Sequence, residues 1–186
     1  MADRKEYEAL FRDMHPGFFE REYIRSMNEA WISEEMILRL EEFDPEAYRK
    51  TFDSSVSFGI FRGSMEELYA AVGQVVPDWL QYYHEDSRVY CGFVDGKIAS
   101  FCMIEDMGAH KLDGRMMKIG GPGCVGTVPA LRNRGVGLMM VRDATQILKE
   151  EGYDLSYIHF TQVAPWYRKL GYRTVLKWNK EGFLED

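Results

Sequence analysis

The sequence predicts an α/β (α+β) chain: a mixed, mostly antiparallel twisted sheet flanked by helices, preceded by a helical extension. Three observations carry this. Between Arg88 and Met107 two stretches with strand periodicity flank Asp95-Gly96, the strongest short-range hairpin signal. From Met116 to Phe160 a strand, a long helix and a second strand follow one another, a βαβ unit whose strands lie parallel with a right-handed crossover. Ahead of both, the opening third carries short helical segments with little strand character.

In chain order, Arg4 to Met14 and Phe18 to Met27 read as helices broken at His15-Pro16-Gly17. Glu35 to Glu41 offers a brief strand, and Asp44-Pro45 opens a helix with proline at its first position. Ser64 to Glu67 has capping-box spacing, and Leu68, Val72 and Val75 continue an apolar stripe. Strands are expected at Arg88 to Val94, Lys97 to Met107 and Met116 to Val128. Gly135 to Glu151 follows as a long helix with Met140, Val141, Ala144, Ile147 and Leu148 on its core side, closed by Gly152. Tyr153 to Phe160 is a strand, Pro165 to Leu170 a short helix, and Tyr172 to Trp178 a final strand.

The 186 residues suit one compact unit, read as an extension over 1–34 and a main body over 35–186. No apolar run approaches the roughly 20 residues of a membrane span, and the charged start lacks a secretory h-region, so the reading is a cytoplasmic protein without membrane contact. Cys91, Cys102 and Cys124 form no C-x-x-C pair, and His15, His84, His110 and His159 are scattered, so no metal is expected. A formal charge of −7 argues against nucleic acid and favours cationic small molecules.

The chemistry is concentrated in Val125 to Gly137. A strand ends at Pro129, an Arg/Gly loop follows, and a helix begins at the glycines, so free N–H groups and the positive end of a helix dipole converge where a pyrophosphate would sit. Gly135 and Gly137 admit a close phosphate, while Arg132 and Arg134 add charge. No G-K-[ST] occurs, which removes a P-loop. Gly121-Pro-Gly123-Cys-Val-Gly126 has dinucleotide spacing but opens no helix; its glycines instead bulge the strand and free backbone groups for a ligand.

These residues resemble motif A of the GNAT (Gcn5-related N-acetyltransferase) superfamily, V-x-P-x-x-R/Q-x-x-G-x-G/A, here Thr127-Val128-Pro129-Ala130-Leu131-Arg132-Asn133-Arg134-Gly135-Val136-Gly137. A second family signature, F-Y-x-K-x-G-F, is matched by Trp166-Tyr167-Arg168-Lys169-Leu170-Gly171-Tyr172. The resemblance spans roughly Met36 to Trp178 and implies a GNAT-like sheet and an N-acetyltransferase passing acetyl from acetyl-CoA to a primary amine by direct attack. It implies that amides from Arg132, Asn133, Arg134, Gly135, Val136, Gly137 and Leu138 hold the pyrophosphate. The backbone of Val125, Thr127 and Val128 would pair with the pantetheine arm, an N–H near Val128 would polarise the thioester, and Tyr167 would protonate the departing thiolate. Packing beneath the last strand is the plainer reading of Tyr167.

Three features depart from the family pattern. Phe160 stands where many relatives have asparagine, so a side-chain contact there falls to Thr161 or Gln162. The tail supplies one strand where many relatives have two, so the N-terminal segment or a homodimer partner completes the sheet. No acid precedes Pro129 on its strand. An amine of pKa about 10.4 is free base in only about one molecule in two thousand at pH 7, roughly 4 to 5 kcal/mol uphill, so a general base is useful. Glu105 and His159 are candidates, although the plainer reading of each is an edge carboxylate and a packed imidazole. Asp78 to His84 reads either as an acceptor wall or as a helix packed on the sheet. A non-catalytic acyl-CoA-binding sensor is the alternative function, and a nucleotide-binding oxidoreductase is disfavoured by the misplaced glycines.

Overall fold

The computed structural model describes residues 2–185. An eight-stranded sheet forms the centre, with strands β1 (Ser33–Arg39), β2 (Val56–Ile60), β3 (Val89–Val94), β4 (Lys97–Leu112), β5 (Arg115–Thr127), β6 (Leu155–Thr161), β7 (Arg173–Asn179) and β8 (Gly182–Phe183). The helices are α1 (Arg4–Met14), α2 (Glu22–Arg25), α3 (Met65–Gly73), α4 (Val136–Glu150) and α5 (Ala164–Arg168).

The strand order is β2-β3-β4-β5-β6-β1-β7-β8. Every neighbouring pair is antiparallel except β5 and β6, the two strands joined through α4. The expected βαβ unit is therefore present within a mostly antiparallel sheet. Asp95-Gly96 turns β3 into β4, and Asp113-Gly114 turns β4 into β5 with the same left-handed pair of φ angles, 50° and 74° against 53° and 75°. The second turn carries β4 on to Leu112, five residues beyond the expected end at Met107.

The N-terminal half departs furthest from expectation. The helix expected over 18–27 contracts to Glu22–Arg25, and the helices after Pro45 and around Asp78 are single 3₁₀ segments, Pro45–Tyr48 and Pro77–Tyr82. β2 was not expected at all, because Val56–Ile60 is half-buried at the sheet edge and shows little hydrophobic alternation. A brief β8 follows β7, where one final strand was expected.

β1 begins at Ser33, inside the stretch assigned to the extension, and threads between β6 and β7, pairing antiparallel with both. It supplies the interior strand that the C-terminal tail does not. Period-two alternation divides its side chains: Met36 and Leu38 pack with α4, while Ile37 packs with α1. The same alternation on β4 sends Cys102 and Ile104 toward α4, and Phe101 and Met103 toward α3.

Both faces are thus covered. α4 lays Met140, Val141, Ala144 and Leu148 on one; on the other, Phe11 and Phe18 meet Trp178, while Leu68 and Val72 meet Cys91 and Phe101. Asp3 caps α1 in a reciprocal capping box with Glu6, fixing where that helix starts. Phe11 is fully buried and touches the rings of Phe18, Phe19, Trp178 and Phe183. Replacing Phe11 with alanine is therefore expected to cost roughly 3 to 5 kcal/mol of unfolding free energy, measured by urea denaturation.

Candidate active site

β5 pairs with β6 only at Ile119–Leu155 and Gly120–Ser156. A Cβ at Gly121 would stand 2.0 Å from the Tyr157 carbonyl oxygen, so the strands are still in close contact there. Beyond it they part, and a notch opens between the C-terminal half of β5 and the end of β6. Two bulges shape its wall. Phe101 pairs with Gly126 and Met103 with Gly123, which leaves one extra residue on β5, where Cys124 has φ 46°. Asp106 pairs with Gly120 and Gly108 with Ile119, an extra residue on β4, where Gly108 has φ 85°. The bulging expected of the glycine-rich run is present, and the buried hydroxyl of Tyr83 donates to the Cys124 carbonyl at 2.8 Å. The stretch from Asp78 to His84 thus packs on the sheet and ties down the β5 bulge.

On the α4 face the notch continues into a cleft of about 580 Å³ lined by Val125, Gly126, Thr127, Arg132, Asn133, Gly135, Val136, Gly137, Leu138 and Tyr167. Nine of the residues singled out from the sequence meet there, because α4 starts where β5 ends and α5 returns to the same place. Val128 and Arg134 do not line it. The Val128 N–H donates to the Ala99 carbonyl at 2.8 Å, so it is spent on the strand ladder and cannot polarise a thioester.

The loop geometry explains its glycines differently from the sequence reading. Gly135 has φ 83°, a left-handed position that a side chain strains, and a Cβ there would meet the Lys50 ammonium at 2.7 Å. Gly137 is buried, and its absent Cβ leaves room for Thr127 Oγ1, which would stand 2.5 Å away. Its requirement is packing against β5 and not approach by a phosphate. No side chain caps the N-terminus of the 15-residue α4, so its first N–H groups face the cleft mouth.

Lys50, from the segment after Pro45–Tyr48, lines the cleft with Lys169 and donates to the Arg134 carbonyl at 2.8 Å. The sequence offered no local signal for it, since it arrives from 84 positions away. Arg132 donates to the Thr127 carbonyl at 3.1 Å, tethering its guanidinium to the strand end. In a chain of formal charge −7, three cations on one cleft beside an uncapped helix start make a site for an anion.

Tyr167 is buried, and burial raises its pKa so that the phenol stays protonated. Glu105 lies on the opposite face, by alternation with Phe101 and Met103; its carboxylate lies over Gly123, where a Cβ would come within 2.0 Å of Oε2. Burial raises its pKa, while the His159 charge opposes the rise. His159, on β6, shares that face with Glu105 and is held by Glu35. Phe160, in the place of the family's asparagine, has φ 57° and packs on Trp178. Thr161 turns inward and caps the Val163 N–H.

A family profile described as an acetyltransferase (GNAT) domain matches residues 46–175. The chain belongs to the GNAT acetyltransferase family. β1 lies outside the matched stretch, although it sits inside the sheet. Among solved structures, the chain resembles a GCN5-related glucosamine N-acetyltransferase region of a fungal multi-domain beta-N-acetylglucosaminidase, with TM-score 0.65 and 22% identity, covering 81% of this chain and 20% of that one. A GCN5-related N-acetyltransferase from Kribbella flavida gives TM-score 0.56 and 18% identity over 94% of this chain and 69% of the other. One from Sphaerobacter thermophilus gives 0.58 and 16% over 80% and 50%. At these identities the likeness is one of fold. No curated protein matches the chain. Among the described residues no helix is long and apolar enough to cross a membrane, and no cluster of three or more histidine, cysteine or acidic side chains could hold a metal ion.

Two expectations follow. Gly135→Ala is expected to destabilise the protein by about 1 to 3 kcal/mol in urea denaturation, through its left-handed backbone. His15, packed against His159, has its pKa held down to about 3, first by burial and then by the His159 charge. The unfolded chain therefore binds that proton first as pH falls, so stability is present above about pH 6.5 and is lost toward pH 3. Denaturation midpoints measured across that window should fall less steeply in His15→Asn.

Proposed function

We propose that the chain is an N-acetyltransferase that moves an acetyl group from acetyl-CoA to a primary amine by direct attack. The observation that carries this reading is the notch between β5 and β6, with the cationic cleft and Tyr167 on one face and Glu105 on the other. When bound, acetyl-CoA supplies an acetyl thioester. The N–H groups at the start of α4, with Lys50, Arg132, Asn133 and Lys169, would hold its phosphates, and the unpaired edge of β5 at Val125 and Thr127 would hold its amide-bearing arm.

Tyr167 then stands as a proton donor to the leaving sulfur. A phenol kept protonated by burial is available to a thiolate of ordinary pKa about 8.5 as the C–S bond breaks. Glu105 takes the acceptor side: it meets the ammonium and begins the removal of its proton, and a raised carboxylate pKa favours that role near neutral pH. The ammonium loses one proton, the C–N bond forms as the C–S bond breaks, and the second nitrogen proton offsets the one Tyr167 gives to sulfur.

The acceptor class fits the chain's negative charge, and amino sugars belong in the panel because the fungal structural relative is a glucosamine N-acetyltransferase region. Calorimetry with acetyl-CoA is expected to show binding by the wild type that a Lys50→Glu, Lys169→Glu double variant, altered at two exposed cleft cations, loses. Free-thiol release across an amine panel should fall roughly 10²-fold or more in Tyr167→Phe with acetyl-CoA affinity retained. Absence of wild-type binding would remove the transferase reading, whereas binding without turnover in any amine would favour a non-catalytic acyl-CoA sensor.

A further inference from the structure

The acceptor side of the notch holds a second acid–base group that neither the family profile nor the structural relatives assign. Glu35, on β1, is fully buried, and its carboxylate is surrounded by donors. Trp178 Nε1 donates to Oε1 at 2.7 Å, the Phe160 N–H donates to the same oxygen at 3.1 Å, and His159 Nδ1 lies 2.9 Å from Oε2. A buried carboxylate in this position orients the ring, because Nδ1–H donating to Oε2 leaves the lone pair on Nε2. No hydrogen bond to that Nε2 occurs among the described residues, and the side chain is 25% exposed.

The surroundings hold the ring in place. His15 stacks on it with centroids 3.9 Å apart and planes 17° from parallel, and Phe18 closes edge-on at 5.2 Å. The titratable groups that face it are Glu35 from β1, Glu105 from β4 and His15 from the N-terminal segment; Tyr157 faces Glu35 in turn, and Arg21 and His110 face His15. His15 is kept neutral near pH 7 by its burial. Tyr157 is buried with its proton retained.

We propose that His159, aimed by Glu35, is the group on which the acceptor's first proton comes to rest: Glu105 meets the ammonium, and the Nε2 lone pair of His159 takes the proton while the free amine attacks. The proton passes to solvent after each turnover, and Glu35 keeps its hydrogen bond to Nδ1 throughout. Glu35 is a positioning residue, since it acts through the ring. The proposal also gives residues 1–34 a task, because His15 and Phe18 fix the imidazole from outside the family's matched stretch. It rests on the transferase reading above.

The test is the pH dependence of thiol release from acetyl-CoA with a panel of primary amines (glucosamine, spermidine, lysine methyl ester) for wild type, His159→Gln and Glu35→Gln. Glutamine at 159 can still donate to Glu35, so the fold is retained, checked by an unchanged melting temperature and acetyl-CoA affinity. The expected result is a kcat lower by roughly 10²- to 10⁴-fold at pH 7, recovering as pH rises toward the amine's own pKa. NMR of the histidine side chains should place the proton of neutral His159 on Nδ1, and Glu35→Gln should move that tautomer equilibrium toward Nε2–H. A His159→Gln rate equal to wild type across the profile overturns the proposal and leaves the transferase reading standing. No turnover of any amine by the wild type overturns both.

Discussion

The parting of β5 from β6 after the Gly120–Ser156 pair governs the rest of the structure. Parallel strands joined by a helix are ordinarily paired along their length, and an interior break leaves backbone donors and acceptors without partners. The cost is contained because the break is short and its margins are rigid. Ile119–Leu155 and Gly120–Ser156 close one end, and the β5 bulge is pinned by the Tyr83 hydroxyl at the other. What remains is an edge of β5 inside the sheet, the place where the proposed reaction would seat the extended, amide-bearing arm of the co-substrate.

Two strands that diverge must be held at their far sides, and the chain does this with β1. Inserted antiparallel between β6 and β7, it buries Met36 and Ile37 on opposite faces and anchors the short C-terminal half of the sheet. Its one buried acid is Glu35, and a carboxyl group shut away from solvent requires hydrogen-bond partners. Trp178, the Phe160 backbone and His159 provide them, each from a neighbouring strand. A structural strand thereby brings a carboxyl group up to His159 on β6.

Tyr167 and Glu105 take opposite faces of one sheet because α5 packs with α4 while β4 alternates its side chains. In the proposed reaction the proton donor for the departing group and the carboxylate for the incoming one would thus be separated by the thickness of the sheet. Burial raises both pKa values, yet with different consequences. The phenol becomes a fixed donor, whereas the carboxyl moves toward the pH at which it exchanges protons.

Local patterns were enough to determine much of this. Asp95-Gly96 set its hairpin, the α4 stripe and Gly152 set the long helix, and strand–helix–strand order set the one parallel pair. The R-x-x-G-x-G run and the Tyr167 segment located the cleft, because each depends on residues close together in the chain. The second hairpin was equally legible at Asp113-Gly114, as both turns need the same left-handed residues. Tertiary structure alone decided the position of β1, the arrival of Lys50 beside Gly135, the spent N–H of Val128 and the pairing of Glu35 with His159 across 124 positions. These are long-range contacts, set by which strands meet and in what register, and a sequence pattern records only which face a residue prefers and not what it will find there.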